Sequence, residues 1–277
     1  MSTYFEVLKK ARKFLKNKGI EDADVDAWYL MSYLLDVNRA SFFNIRDEKM
    51  PEDKIEAFHK LVYKRSQNFP IQYIIGMQEF MGLEFVVNKD VLIPRQDTET
   101  LVEEVLKVCP QKSVLDLCTG SGCIIISLAK LGNIKRATAS DISHKSLEVA
   151  RLNAQKNEVC VNFIESDLFE KIEGDFDIIV SNPPYIKSMD IETLMPEVKE
   201  HEPRIALDGS QDGLLYYRRI IKEAKNHLRK NGLIFFEIGH NQGREVQDLL
   251  QKEGFVDIKL FRDLAGLERV VSGRYEF

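Results

Sequence analysis

Beyond Lys112, strand-like apolar runs alternate with helical ones, and this alternation constrains the fold more than any other feature of the chain. The runs occupy residues 113–117, 137–140, 161–164, 177–180 and 233–236. Strands separated by helices cannot be joined as hairpins, so they form a mostly parallel sheet wrapped by helices. Two later strand candidates, at 258–260 and 269–271, have only the loop Asp263-Leu264-Ala265-Gly266-Leu267 between them. A connection that short suits an antiparallel pair, so the predicted α/β sheet is mixed at its far edge.

The N-terminal part reads differently. Apolar residues recur three and four apart in Phe5/Leu8/Leu15, Trp28/Met31/Leu35 and Ile55/Phe58/Leu61/Val62, which predicts a small helical bundle over residues 1–70. Between 71 and 92 the period changes to two, with Phe80, Leu83, Phe85 and Val87 interrupted by Gly76 and Gly82. That stretch predicts a β-hairpin linker, after which residues 93–277 form the α/β domain, with a helical pattern from Thr98 to Val108. A chain of 277 residues is long enough for two such cores.

The formal charge of -5 provides no general basic field, so no direct binding of long nucleic acid is expected. Cys109, Cys118, Cys123 and Cys160 have neither metal-ligand spacing nor disulfide density, as in a reducing cytosol, and no metal is expected. The N-terminus lacks the apolar core of a signal peptide and no run approaches transmembrane length, so a soluble cytoplasmic protein with no membrane partner is expected.

Residues 113–117 run into Cys118-Thr119-Gly120-Ser121-Gly122, and helical spacing follows through Ile125 and Leu128. A glycine turn between strand and helix lets the backbone approach a ligand closely. Asp141 ends the next strand, about 20 residues on, where a dinucleotide fold places the carboxylate that binds ribose hydroxyls. Asp116 either steadies the turn through backbone N–H groups or meets a ligand amine. Asp167 ends the third strand; it is either a helix N-cap or an acceptor for an adenine amino group, with Leu168 packed on the base. No Gly-Lys-Ser/Thr loop or basic partner accompanies Gly120, and acids dominate instead. A cofactor with ribose, adenine and a cationic amino-acid part fits that set, and S-adenosylmethionine is the common one.

Ser181-Asn182-Pro183-Pro184-Tyr185 follows the fourth strand. Two prolines stiffen the loop and remove two N–H donors, so it presents acceptors. With the Asn182 carbonyl and the flat face of Tyr185, it suits a planar amino or amide group.

Taken together, Pro70-Ile71-Gln72-Tyr73-Ile74, Phe80-Met81-Gly82-Leu83, Ile93-Pro94-Arg95-Gln96-Asp97-Thr98-Glu99, the turn from Asp116 to Gly122, Asn182 to Tyr185, Glu202-Pro203, Asp212-Gly213-Leu214 and Glu237-Ile238-Gly239 resemble one family across nearly the whole chain. That family is the class I methyltransferases that modify the side-chain nitrogen of glutamine in peptide chain release factors. The resemblance implies a Rossmann-like domain with a mixed, mostly parallel seven-stranded sheet. It implies transfer from S-adenosylmethionine, leaving S-adenosylhomocysteine, to N5 of the glutamine in the Gly-Gly-Gln motif of class I release factors, the N-terminal bundle helping to dock them. It places the cofactor on Cys118, Thr119, Gly120, Ser121, Gly122, Asp141, Asp167, Leu168 and Asn182. The glutamine falls to Asn182, Pro183, Pro184 and Tyr185, with Asn182, Pro183 and Tyr185 in the catalytic role. Cys118 stands where the motif usually has its first glycine, and Gln96 where the family usually has proline. The Asn-Pro-Pro-Tyr loop is shared with adenine-N6 and guanine-N2 nucleic-acid methyltransferases, and a ribosomal-protein glutamine is a further alternative acceptor. A module that holds cofactor without turnover is the non-enzymatic reading. No catalytic histidine is assigned: His201, beside Glu202-Pro203, is the nearest in sequence and reads as a structural residue.

Overall fold

The helical spacing of the first 65 residues becomes four helices in the computed structural model, which describes residues 2–276. They are α1 (Tyr4–Asn17), α2 (Ala23–Leu35), α3 (Arg39–Ile45) and α4 (Glu52–Arg65). Thr3 and Glu6 close a capping box at the start of α1, each side chain bonding the other's backbone N–H. Leu15, Leu30, Met31 and Phe58 are fully buried between the helices. Arg65 is buried too, and its charge is met by Asp26 at 2.6 Å and Glu197 at 3.0 Å. Residues 71–75, read in the sequence as the start of the hairpin, instead form α5 (Ile71–Ile75). Pro70 presets its entry, Gly76 closes it at φ 83°, and Tyr73 and Ile74 are buried. The first unit therefore runs to Gly76, and it also includes residues 195–201. There His201 packs its ring on Phe69 at 4.9 Å, a structural contact.

The second unit comprises residues 77–194 and 202–277. Its hairpin is confined to β1 (Met77–Phe80) and β2 (Leu83–Val86). A 3-10 turn at Gln96–Thr98 leads into α6 (Glu99–Leu106), so the helix expected from Thr98 begins one residue later and ends sooner. In order come β3 (Ser113–Leu117), α7 (Cys123–Leu131), β4 (Arg136–Asp141), α8 (His144–Lys156), β5 (Asn162–Glu165), β6 (Phe176–Ser181), α9 (Pro196–His201, counted with the first unit), α10 (Leu215–Ala224), β7 (Leu228–Glu237), α11 (Gly243–Lys252), β8 (Phe255–Arg262) and β9 (Glu268–Tyr275).

The seven-stranded sheet has the order β5-β4-β3-β6-β7-β9-β8. The first five strands in that order are parallel, and β9 and β8 are antiparallel, as the short loop before β9 predicts. Both faces are covered: Val114, Ile178, Val180 and Phe235 face one core, and Leu115, Ile179, Ile234 and Phe236 the other. From β3 the chain proceeds outward through β4 and β5, then returns to β6 on the other side. This reversal opens a crevice at the C-terminal ends of β3 and β6, where open α/β sheets bind ligands.

Candidate active site

At the end of β3 the chain turns through Cys118 at φ 59°, a left-handed conformation that glycine adopts more readily. Two residues on, Gly120 borders open space, where an added Cβ would meet nothing within 4 Å. Gly122 has φ 80°, and a Cβ there would lie 2.8 Å from Ile126 Cδ1 and 3.2 Å from the Ala150 methyl, so helix packing also demands glycine. Buried Asn153 of α8 holds the turn from behind: its Nδ2 donates to Ser121 O at 2.9 Å and to Val86 O at 3.0 Å, tying the turn to the hairpin.

Asp141 accepts from Gly120 N and Ser143 N, each at 2.9 Å and each on a different carboxylate oxygen. An ionised carboxylate has about four acceptor sites, so lone pairs remain for hydroxyl groups. Burial raises the proton affinity of Asp141, and the backbone N–H groups oppose that shift. Asp167 receives Arg219 of α10 at 3.0 Å on one oxygen; no helix starts behind it, which removes the N-cap alternative. Leu168 follows at φ 51°, buried, with its side chain bordering the same cleft.

Cys118, Gly120, Asp141, Asp167, Leu168 and Asn182 line that cleft together, joined by Ile142 and Tyr216, which the sequence did not single out. Thr119, Ser121 and Gly122 lie outside the lining; they shape the turn. No lysine or arginine lines the cleft. Directly beneath, Asp116 is wholly buried, takes the Thr119 hydroxyl on Oδ2 at 2.6 Å, and has no partner for Oδ1. Burial pushes its pKa up to about 7. An acid below the turn with one oxygen unpartnered, a carboxylate with spare acceptors for a diol, and an apolar wall carrying a further acid fit the ammonium, ribose and adenine of S-adenosylmethionine. They do not suit a polyphosphate, which acids repel.

The acceptor loop is held more elaborately than its sequence suggests. Pro183 and Pro184 are buried, and only Pro184 of the two borders the cofactor cleft. A Cβ at Gly209 would lie 2.7 Å from Tyr185 Cα, so the backbone of residues 208–210 passes directly against the loop. Gln242 donates to Tyr185 O at 3.1 Å. The Tyr185 hydroxyl turns inward and donates to Glu237 Oε1 at 3.3 Å. Asn182 Nδ2 donates to buried Thr98 Oγ1 at 3.4 Å. Thr98 lies in the Ile93 to Glu99 segment and Glu237 ends β7. The strand-end logic that selected Asp116, Asp141, Asp167 and Asn182 reaches Glu237 if carried one strand further.

Two family models match the chain, a PrmC N-terminal domain over residues 6–76 and a methyltransferase small domain over residues 95–199. A release factor glutamine methyltransferase of Geobacter sulfurreducens is 41% identical over 275 residues, covering 98% of this chain and 96% of that protein. One of Clostridium acetobutylicum is 43% identical over 274 residues, covering 96% of each. Among solved structures, a methyltransferase from Pyrococcus furiosus superposes with a TM-score of 0.56 over 80% of this chain and 99% of its own, at 16% identity. That likeness shows a shared fold.

Proposed function

The chain belongs to the release factor glutamine methyltransferase family, and from that membership we infer that it transfers the methyl group of S-adenosylmethionine to N5 of the glutamine in the Gly-Gly-Gln motif of class I release factors. The observation that carries this reading is the pairing of an acidic, phosphate-averse cleft with a proline-stiffened, donor-poor loop at adjacent strand ends. The turn at Cys118 to Gly122 with Asp141, Asp167, Leu168 and Asn182 would hold the cofactor, which would supply an electrophilic methyl group on a sulfonium.

A glutamine amide is a weak nucleophile because its lone pair is delocalised into the carbonyl. Asn182 Oδ1 and the Pro183 carbonyl accept its two hydrogens and aim the nitrogen, while the Tyr185 ring lies along the amide plane. Acceptors at those hydrogens also stabilise positive charge as it builds on nitrogen. The nitrogen becomes strongly acidic once alkylated, so its proton leaves without a dedicated base. We assign the docking of the release factor in part to the N-terminal bundle, and the site of action to the cytoplasm. No helix among the described residues is long and apolar enough to cross a membrane.

The test is a mass spectrum of a class I release factor after incubation with enzyme and S-adenosylmethionine. One added methyl on the Gly-Gly-Gln glutamine is expected. Methylation of oligonucleotides with none of the release factor would overturn the reading.

A further inference from the structure

We propose that Thr98 and Glu237 are positioning residues that fix the rotamer of the Asn182 amide, turning its carbonyl toward the acceptor glutamine. The proposal rests on Asn182 being the residue that grips that glutamine.

The argument starts from a count of protons. Asn182 has a donor end and an acceptor end of nearly the same shape, and only the acceptor end can receive an amide N–H. What lies behind Asn182 therefore decides which end faces the substrate. Behind it is Thr98 Oγ1, at 3.4 Å from Nδ2 and 2% exposed. A threonine hydroxyl has one proton. If that proton goes elsewhere, the oxygen can only accept from Asn182, and the amide nitrogen must point inward.

Glu237 offers that proton an open acceptor. Its carboxylate is buried at 2% exposure, accepts from Tyr185 on Oε1, and has no hydrogen-bond partner on Oε2. The Thr98 hydroxyl faces it and favours its charged form. An ionised carboxylate only accepts, and inside a protein it orders the donors around it. With the Thr98 hydroxyl turned to that open oxygen, donation runs in one direction, from Asn182 N–H to Thr98 and from Thr98 O–H toward Glu237, with Tyr185 O–H donating from the other side. One end of the Asn-Pro-Pro-Tyr loop is bonded to the buried acid itself, and the other to the threonine beside it.

Protonation reverses this direction. A carboxylic acid at Glu237 donates to Thr98, whose own proton then turns to Asn182 and favours the flipped amide. Burial pushes Glu237 up to about 7, so the reversal falls near neutral pH. The groups around the carboxylate are Arg269 of β9 and Tyr185, Asp97 of the 3-10 turn, Tyr217 of α10 and Cys123 of α7. Arg269 is already paired with Asp97 at 2.9 Å and Asp263 at 3.2 Å, so it attracts Glu237 without neutralising it.

The experiment compares Thr98→Val, which keeps the shape and removes the hydroxyl, with Thr98→Ser, which restores it, in release-factor methylation and in calorimetric binding of S-adenosylmethionine. Thr98→Val should lower kcat by about tenfold or more, the worth of one oriented hydrogen bond, with cofactor Kd changed by less than about twofold. Thr98→Ser should recover most of that loss. In the unaltered enzyme kcat should fall below pH 7, and Glu237→Gln should flatten that limb. The side-chain amide resonances of Asn182 should titrate with the same midpoint and stop doing so in Glu237→Gln, which reads the rotamer without turnover. Full kcat in Thr98→Val, equal losses of kcat and cofactor affinity, or an acidic limb and amide titration that survive Glu237→Gln would each overturn the proposal. Asn182→Ala separates the two readings: if it methylates normally, the assignment of Asn182 fails, whereas an inactive Asn182→Ala beside a fully active Thr98→Val sinks only the relay.

Discussion

The cofactor cleft and the acceptor loop sit at neighbouring strand ends but are built by opposite means. The cleft is shaped by backbone: Gly120 and Ser143 N–H groups brace Asp141, and the glycine turn is set by local φ angles. The acceptor loop offers few amides of its own, so side chains from distant segments hold it: Thr98, Gln242 and Glu237. Affinity and turnover should therefore be separable by substitution.

The largest separation is expected at Asn182. On the proposed role of Asn182, Asn182→Ala removes an acceptor that acts on charge developing in the transition state, and its kcat should fall by about 10²- to 10³-fold. Cofactor affinity, measured by calorimetry, should shift by only a few fold because the acids of the cleft are untouched. Parallel losses in both would mean that Asn182 serves mainly the cofactor or the fold.

Asp141→Ala should show the reverse pattern. Losing hydrogen bonds to a charged acceptor is worth about 1.5–3 kcal/mol, so cofactor Kd should rise roughly 10- to 100-fold. With the enzyme saturated by cofactor, kcat should stay within a few fold. A collapse of kcat at saturation would show that the two halves of the site are not independent.

The same contrast explains what the sequence conveyed. The sheet, its antiparallel edge and the cleft acids were legible because each is encoded by consecutive residues: a period, a turn, an acid at a strand end. The cap at Gly76 was not, because the apolar alternation around Tyr73 and Ile74 satisfies a short helix as well as a strand, and tertiary burial decides between them. The support of the acceptor loop was hidden for another reason. Thr98 and Asn182 are 84 positions apart, and nothing in either segment announces a hydrogen bond between them. Asp167 shows the intermediate case, an acid found from its place in the chain whose partner Arg219 emerges only when α10 packs.

A smaller effect distinguishes the two roles open to Asp116. Its pKa of about 7 in the fold exceeds the ordinary 3.8, so the fold holds a proton that the unfolded chain releases. Its contribution to stability is therefore full below about pH 4 and is lost as pH rises toward 7. A ligand ammonium beside Asp116 would favour the carboxylate, so cofactor binding should release a proton and tighten by up to about tenfold per unit between pH 5 and 7. Calorimetry in buffers of different ionisation enthalpy measures the release, and Asp116→Asn should abolish it. If release persists in that variant, Asp116 serves only Thr119 and the turn.

The smallest expected effect tests how strictly backbone governs the cofactor side. Cys118 occupies a left-handed conformation at φ 59°, which costs a residue with a Cβ roughly 1 kcal/mol or more. Its half-buried side chain also packs against the apolar residues of one core, and burial pushes its thiol pKa well above the ordinary range, so it behaves as a small hydrophobe. Cys118→Ala keeps the strained backbone and loses the sulfur contacts, so it should destabilise. Cys118→Gly loses the same contacts and gives the unfolded chain more freedom, yet it relieves the strain. Glycine should therefore be the more stable of the two by about 0.5–1 kcal/mol, read as a difference in denaturant midpoint at constant slope. An alanine variant as stable as the glycine one would mean that the turn can shift to relieve its own φ, and that the cofactor side is less rigid than its hydrogen bonds imply.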